Sequence, residues 1–346
     1  MKRQNNIPTI QDVAQRAQVS AATVSRVLST PERVLPATRQ RVADAVKATG
    51  FTINVAARSL RMQRARTILV VVPGIGNAYY STILDAVVNE ATRRGYGVLV
   101  NSRLDDDPAT WLADYFHSNR TDGLLIFDGF LDTRRLHSIA GDDPLLPLVA
   151  AYDELPDPQL NSVLTDNLQA AERAVAHLVS LGHRRIGHIC GQSRNASPNE
   201  RLVGFRKAMF DHRLEVRPEW ILPGEYTMRS GVAAGHAFAA LADRPTAVFA
   251  GNDEMAIGFL SAIRQNGLDC PRDVSVIGFD DIDVAQNYFP ALTTMRQPRE
   301  AIGRIAAETL INILEDRVVK APIHVVLTSE LIVRDSTAPL TRSAVG

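Results

Sequence analysis

The sequence predicts a small all-α helix-turn-helix headpiece joined to a larger, two-lobed α/β core with parallel, doubly wound sheets. Three observations carry that expectation. Residues 9–28 hold two short helix patterns with a tight break between them. From residue 67 onward, nearly continuous apolar runs alternate with helical stretches, as in parallel sheets covered on both faces. The charge is also divided. Residues 1–66 hold twelve Lys and Arg against three acids, or +9, and residues 67–346 hold 26 against 35, or −9, within a chain of net charge zero. A basic head on an acidic body points to a polyanion as partner of the head alone.

Within TIQDVAQRAQVSAATVSRVL, Ile10, Val13, Ala14 and Ala17 fall on one helix face. Thr9 is placed to cap that helix, with Asp12 three residues on. After Gln18-Val19, Ser20 caps a second helix whose core face is Val24, Val27 and Leu28. Its opposite face is Ala21, Ala22, Ser25 and Arg26. Two small residues that admit a close backbone, beside a long planar cation, suit a helix entering a DNA major groove. A hairpin that merely packs on its neighbour would show the same spacing, and the basic charge of the segment decides against it. A third helix begins at Pro36, packs through Val42, Ala45, Val46 and Thr49, and ends at Gly50. Residues 54–66 follow as a basic linker, NVAARSLRMQRAR. Asn54 can cap a helix of under two turns, too short to be stable alone. It is expected to order on DNA, paired with its copy from a second subunit. There Leu60 would wedge between base steps, with Arg58 and Arg61 on phosphates.

In the core, strand-like runs lie at 67–72, 96–100, 123–127, 148–152, 162–165, 185–190, 246–251, 274–279 and about 324–333. Helical stretches lie at 79–94, 167–181, 200–213, 228–242, 253–266 and 299–315. The run is too long for one core and should form two lobes. Ligands in such folds sit beyond the carboxyl ends of strands. The segments there are PGIGNAYY, Asp166-Asn167, GQSRNASPNER, Asn252-Asp253 and Asp280-Asp281. Aromatics, an arginine, an amide and carboxylates suit a neutral polyol such as a sugar or nucleoside. Asp253 is expected to cap the helix after Asn252.

Other classes find little support. There is no GxSxG, HExxH or GxxxxGK[ST] pattern, and Gly74-Ile75-Gly76 lacks the third glycine of a dinucleotide fingerprint. Neither an enzyme nor a cofactor is expected. Cys190 and Cys270 stand alone and the eight histidines form no spaced pair, so no metal site is expected. No apolar run approaches a membrane span. MKRQNNIPTIQD lacks the apolar region of a secretory signal, so a cytoplasmic, nucleoid-associated location is expected.

TIQDVAQRAQVSAATVSRVL, AARSL, RPTAVFAGNDEMAIG, DVSVIGFDDID and PALTTMRQP occur in order from about Pro8 to Ser336. Together they resemble the lactose-repressor (LacI/GalR) family of bacterial transcriptional regulators, and VPGIGNAYYSTI with IGFDDID is most similar to its cytidine- and purine-repressor branches. The resemblance implies a homodimer that binds a pseudo-palindromic operator. It implies a body like the periplasmic sugar-binding proteins, with a small polar effector between its lobes. It also implies repression of carbohydrate or nucleoside genes. It divides the chain into a headpiece (1–52), a hinge linker (53–66) and a core (67–340). The N-lobe would take about 67–166 and 297–325, and the C-lobe about 167–296 and 326–340. Carried over by position, Ala21, Ala22 and Arg26 would read bases, while Ser20, Thr23 and Ser25, with Thr9, would contact the backbone or cap helices. Asn54, Ala57, Arg58 and Leu60 would serve the hinge in the minor groove. Tyr79, Tyr80, Asp166, Ser197, Arg201, Tyr226, Asn252 and Asp280 would line the ligand cleft. Three positions depart from the family pattern: Ile53 in place of proline before the hinge, Leu35 in place of a capping serine, and the loop holding Arg194, Asn195 and Ser197. The tail DSTAPLTRSAVG has no leucine heptads, so a dimer rather than a tetramer is expected.

Overall fold

The computed structural model describes residues 8–52, 64–102, 112, 114–116, 118, 120–127, 147–151, 160–191, 199–316 and 321–340. The chain forms two compact units, Met1–Ala65 and Arg66–Gly346.

Among the described residues the first unit is a headpiece of three α-helices. Helix α1 (Ile10–Ala17) starts in a capping box: the Thr9 backbone N–H donates to Asp12 Oδ2 at 2.7 Å, and Thr9 Oγ1 accepts from the Asp12 N–H. The Thr9 N–H, and the Thr9 hydroxyl that donates to the same oxygen at 2.8 Å, hold the Asp12 carboxyl below its ordinary pKa. Gln18, in a left-handed conformation at φ 54°, stops α1. Helix α2 (Ala21–Ser29) is capped by Ser20, whose Oγ accepts from the Thr23 N–H at 3.1 Å. Helix α3 (Pro36–Thr49) opens on proline, receives no side-chain cap from Leu35 and ends at Gly50 with φ 66°. Val13, Ala14, Ala17, Val24, Val42 and Ala45 form the buried core.

Among the described residues the second unit holds two six-stranded sheets. The first comprises β1 (Thr67–Val72), β2 (Gly97–Ser102), β3 (Gly123–Ile126), β4 (Leu148–Ala150), β5 (Asn161–Thr165) and β11 (His324–Leu327), in the order β11-β5-β4-β3-β1-β2. All its pairings are parallel. Helices α4 (Tyr79–Arg93) and α9 (Arg299–Asp316) pack on it through Ile83, Val87, Ile302, Ala306 and Leu310. The second sheet comprises β6 (Ile186–Cys190), β7 (Ile221–Pro223), β8 (Ala247–Ala250), β9 (Ser275–Asp280), β10 (Thr293–Arg296) and β12 (Glu330–Ile332), in the order β12-β10-β9-β8-β6-β7. Helices α5 (Asn167–Ser180) and α6 (Glu200–Asp211) cover one face, α7 (Met228–Ala239) and α8 (Asp253–Gln265) the other.

The fold is the expected two-lobed, doubly wound one, with two differences. The run at 324–333 is two strands in different sheets. β11 carries the first sheet through Leu327, so the chain crosses at Thr328–Ser329 rather than at 325/326. β12 then pairs antiparallel with β10, so the second sheet is not wholly parallel. The short strands β7 and β10 lack the long apolar runs that mark the others. The chain crosses between sheets after β5, after β10 and after β11. Strand order reverses beside β1 in the first sheet and beside β6 in the second, which opens a crevice at the carboxyl ends of these strands.

His188 of β6 lies deep in the second lobe. It is fully buried, stacked between Phe205 (5.1 Å between centroids) and Phe249 (4.8 Å), with Nδ1 at 2.8 Å from the Phe249 carbonyl. Burial lowers its pKa to about 4, against the Phe249 hydrogen bond and with the help of Arg201 and Arg206. The folded state therefore keeps a neutral ring where the unfolded chain binds a proton, and stability falls as pH drops from about 6.5 towards 4. Between pH 7 and 4.5 the wild type should lose roughly 2–3 kcal/mol relative to His188→Phe in urea unfolding. Parallel pH profiles for the two proteins would exclude this role for His188.

Candidate nucleic-acid interface and ligand cleft

On α2, Ala22 and Arg26 are exposed, whereas Ser25 and Thr23 are half-buried. Ala21 differs from its expected outward position. It is half-buried and packs on the headpiece core, because it lies three residues before Val24, the buried centre of the helix. Ser20 and Thr9 act as helix caps, and the Thr23 hydroxyl lies 2.9 Å from that of Ser20. Asn54, Ala57, Arg58, Leu60, Ile53, Arg194, Asn195 and Ser197 lie outside the described residues.

In the core, the crevice gathers side chains from both sheets. Tyr79 and Tyr80 open α4 just after β1, their rings edge to face at 5.0 Å. Tyr79 packs against the cores of both lobes; Tyr80 packs in the first, 6.4 Å from the Phe127 ring. The Tyr79 hydroxyl donates to Gln297 Oε1 at 3.1 Å, and Gln297 Nε2 donates to Asp280 Oδ1 at 2.7 Å. This relay joins the first lobe to the second through the crossing after β10.

Asp280 ends β9 at φ 114° and is 4% exposed. Burial raises its pKa to about 6, opposed by Arg201 and by the Gln297 hydrogen bond. Arg201 Nη1 lies 3.9 Å from Asp280 Oδ1. The same guanidinium donates from Nε to Asn167 Oδ1 at 2.9 Å and from Nη1 to the Gly251 carbonyl, and sits 3.8 Å over the Phe279 ring. Tyr226, at φ 57°, stacks 5.7 Å from Arg201 and accepts from Asn199 Nδ2 at 3.2 Å through its hydroxyl. Asn199 also caps α6 and so orients Arg201. Asp166 is half-buried and caps α5 by accepting from the Gln169 N–H at 2.9 Å.

The role of Asp253 differs from expectation. Asn252, not Asp253, caps α8, accepting from the Met255 N–H at 3.0 Å, while its Nδ2 donates to the Tyr226 carbonyl at 3.1 Å. It is 2% exposed and braces the cleft wall. Asp253 is fully buried; it accepts from the Ile282 N–H at 2.9 Å and from Thr294 Oγ1 at 2.6 Å. Burial and the nearby Asp280 raise its pKa well above the usual carboxylate value. Gln297 and Asn199 carry no individual expectation from the sequence, and Asn167 enters there only as the neighbour of Asp166. The asparagines carry an Asx cap signal, but Gln297 has no local mark. Among the described residues no group of His, Cys, Asp and Glu could hold a metal ion, both cysteines are free thiols, and no helix is long and apolar enough to cross a membrane.

A basic three-helix headpiece and a two-sheet core with a polar crevice at its switch points together define a DNA-binding, ligand-responsive regulator. Residues 9–54 match the bacterial regulatory proteins of the lacI family, and residues 175–337 match the periplasmic binding protein-like domain. The chain is 37% identical over 341 residues to the HTH-type transcriptional repressor CytR of Escherichia coli (strain K12), covering 98% of this chain and 99% of that one. A solved complex of the transcriptional regulator CelR with cellobiose superimposes with a TM-score of 0.72 at 30% identity, over 95% of this chain and 99% of that one. The Lac repressor dimer bound to operator and the anti-inducer ONPF gives a TM-score of 0.83 at 26% identity, over 96% and 99%. This chain belongs to the lacI family.

The cleft wall allows a direct test. A Cβ on Gly191 would stand 1.8 Å from Tyr226 Cζ. Gly191→Ala should therefore displace the ring and cost about 1–3 kcal/mol in urea unfolding, and Tyr226→Ala should remove most of that cost in the double variant. Additive losses would show that the ring is not seated on Gly191.

Proposed function

We propose that the protein is a cytoplasmic, homodimeric transcriptional repressor of carbohydrate or nucleoside genes, without enzymatic activity or cofactor. Its headpieces bind a pseudo-palindromic operator and its lobes close around a small polar effector, a sugar, sugar derivative or nucleoside. The observation that carries the effector reading is the pair of half-buried Arg201 and buried Asp280 at the strand ends, joined by Gln297 to Tyr79 of the other lobe. A ligand hydroxyl placed there finds a carboxylate acceptor and a guanidinium donor, with aromatic faces beside them. The names of the relatives agree: one is a transcriptional repressor, one was solved with cellobiose and one with operator DNA. Lobe closure would alter the spacing of the two linkers of a dimer, and the effector acts through its different affinities for the two lobe arrangements.

Arg26, exposed on α2, is assigned a bidentate contact to guanine in each half-site. Arg26→Ala should weaken operator binding by about 1–3 kcal/mol per half-site and relax preference at one base position. Gel shifts over single-base operator variants check this, and a uniform loss across all of them would make Arg26 a phosphate contact instead. Asp280→Ala should lower effector affinity roughly tenfold to a hundredfold, leaving basal operator binding intact. Thermal-shift titration with nucleosides, pentoses and hexoses, followed by operator binding with the responding compound, measures both. A variant that responds normally to ligand yet fails on the operator would remove Asp280 from the effector site.

A further inference from the structure

The segment that delivers Tyr79 and Tyr80 to the cleft is gripped from the opposite lobe. Ala78 precedes α4 in the first lobe, and its backbone N–H donates to Glu254 Oε1 at 3.2 Å. Glu254 stands in the first turn of α8, which packs in the second lobe. Burial raises the pKa of that carboxylate, against the Ala78 hydrogen bond, and the side chain reaches across from its own lobe. The Ala78 carbonyl is held as well: Arg299 Nη1 donates to it at 3.4 Å, and Arg299 Nη2 donates to the Asp281 carbonyl of the second lobe at 2.8 Å. Arg299 is 9% exposed, so this bridge is largely shielded from water. Both backbone polar groups of one residue are thus tied to groups that belong to, or bridge to, the other lobe. That residue immediately precedes the aromatic pair.

We propose that Glu254 is a positioning residue of the effector response: acting through Ala78, it sets Tyr79 and Tyr80 over the cleft and biases the two lobes toward closure. The proposal rests on the reading of the cleft as an effector site. The physical grounds are simple. A peptide N–H facing a carboxylate makes a charge-assisted bond stronger than a neutral one. Any lobe opening that separates the two groups breaks the bond, so the bond shifts the population toward the arrangement in which they meet. A ligand that binds the closed form then binds a state already populated, and its apparent affinity rises accordingly.

Two variants on opposite sides of the bond test this in the full-length protein. Glu254→Ala removes the acceptor, whereas Glu254→Gln keeps an oxygen that can accept. Ala78→Pro removes the donor, leaves α8 untouched and suits the backbone, since Ala78 sits at φ −60°. The first readout is amide hydrogen exchange over residues 74–82 without ligand. Exchange should quicken about tenfold in Glu254→Ala and by clearly less in Glu254→Gln, which keeps a neutral and weaker acceptor. The second is calorimetric affinity for cytidine and for ribose. Whichever the wild type binds should bind roughly threefold to thirtyfold more weakly to Glu254→Ala and to Ala78→Pro, with the double variant no worse than either. Unchanged exchange in Glu254→Ala, or equal effects of the alanine and glutamine variants, would overturn the assignment. If neither probe binds the wild type, the effector reading fails for these compounds, and the exchange comparison still decides whether Glu254 holds the loop.

Discussion

The core is organised around a guanidinium that has been taken largely out of water. Arginine cannot shed its charge in a protein, so Arg201 must find acceptors wherever the chain buries it. It finds partners in three separate places: Asn167 at the head of α5, the Gly251 carbonyl after β8, and the end of β9, which supplies Asp280 and the face of Phe279. Each partner lies at a strand end or helix start beside the reversal of strand order. Meeting the needs of one cation therefore fixes the geometry of the crevice floor. Behind it, Asp253 fills the space left by Gly278, where a Cβ would stand 2.1 Å from Asp253 Oδ1, and bonds β10 and the turn after β9 to α8. One polar layer faces the crevice and a second holds the first in place.

The headpiece is stabilised on a smaller scale. Its core consists of short aliphatic side chains, and a domain this small buries little apolar surface. Local bonds matter correspondingly more. The capping box of α1 and the serine cap of α2 satisfy backbone donors at the starts of both helices. They fix the angle at which α2 presents Ala22 and Arg26. Leu35 gives no such bond to α3, and Pro36 begins that helix with its backbone dihedral already set.

Much of this was legible because it is written in local patterns. Apolar runs marked the long strands, and Thr9, Ser20, Pro36 and Gly50 marked helix ends by chemistry that acts within three or four residues. What was hidden depends on pairing at long range. The stretch 324–333 has one continuous strand-like texture, and only its partners, β5 for one half and β10 for the other, divide it between sheets. Asn252 and Asp253 are adjacent Asx residues with equal capping chemistry; Asp253 is drawn inward because Thr294 and the Ile282 amide wait there. Ala21 looked outward on a helical wheel, but the packing of three helices around it is wider than one face. Gln297 and Glu254 resemble ordinary surface residues until the crossing strands place Tyr79 and Ala78 against them.

The three crossings have a mechanical consequence. A single covalent strap between two bodies leaves them free to bend, twist and slide. Three straps, after β5, after β10 and after β11, work like pins along one edge of a door. Twisting or sliding would stretch at least one strap, and bond lengths do not yield on that scale. Rotation about the line through the straps is the soft motion that remains. A molecule that settles in the crevice, at some distance from that line, acts as on a lever. Its small local displacements become a single swing at the far rim of the first lobe, with little dissipated into unrelated deformations.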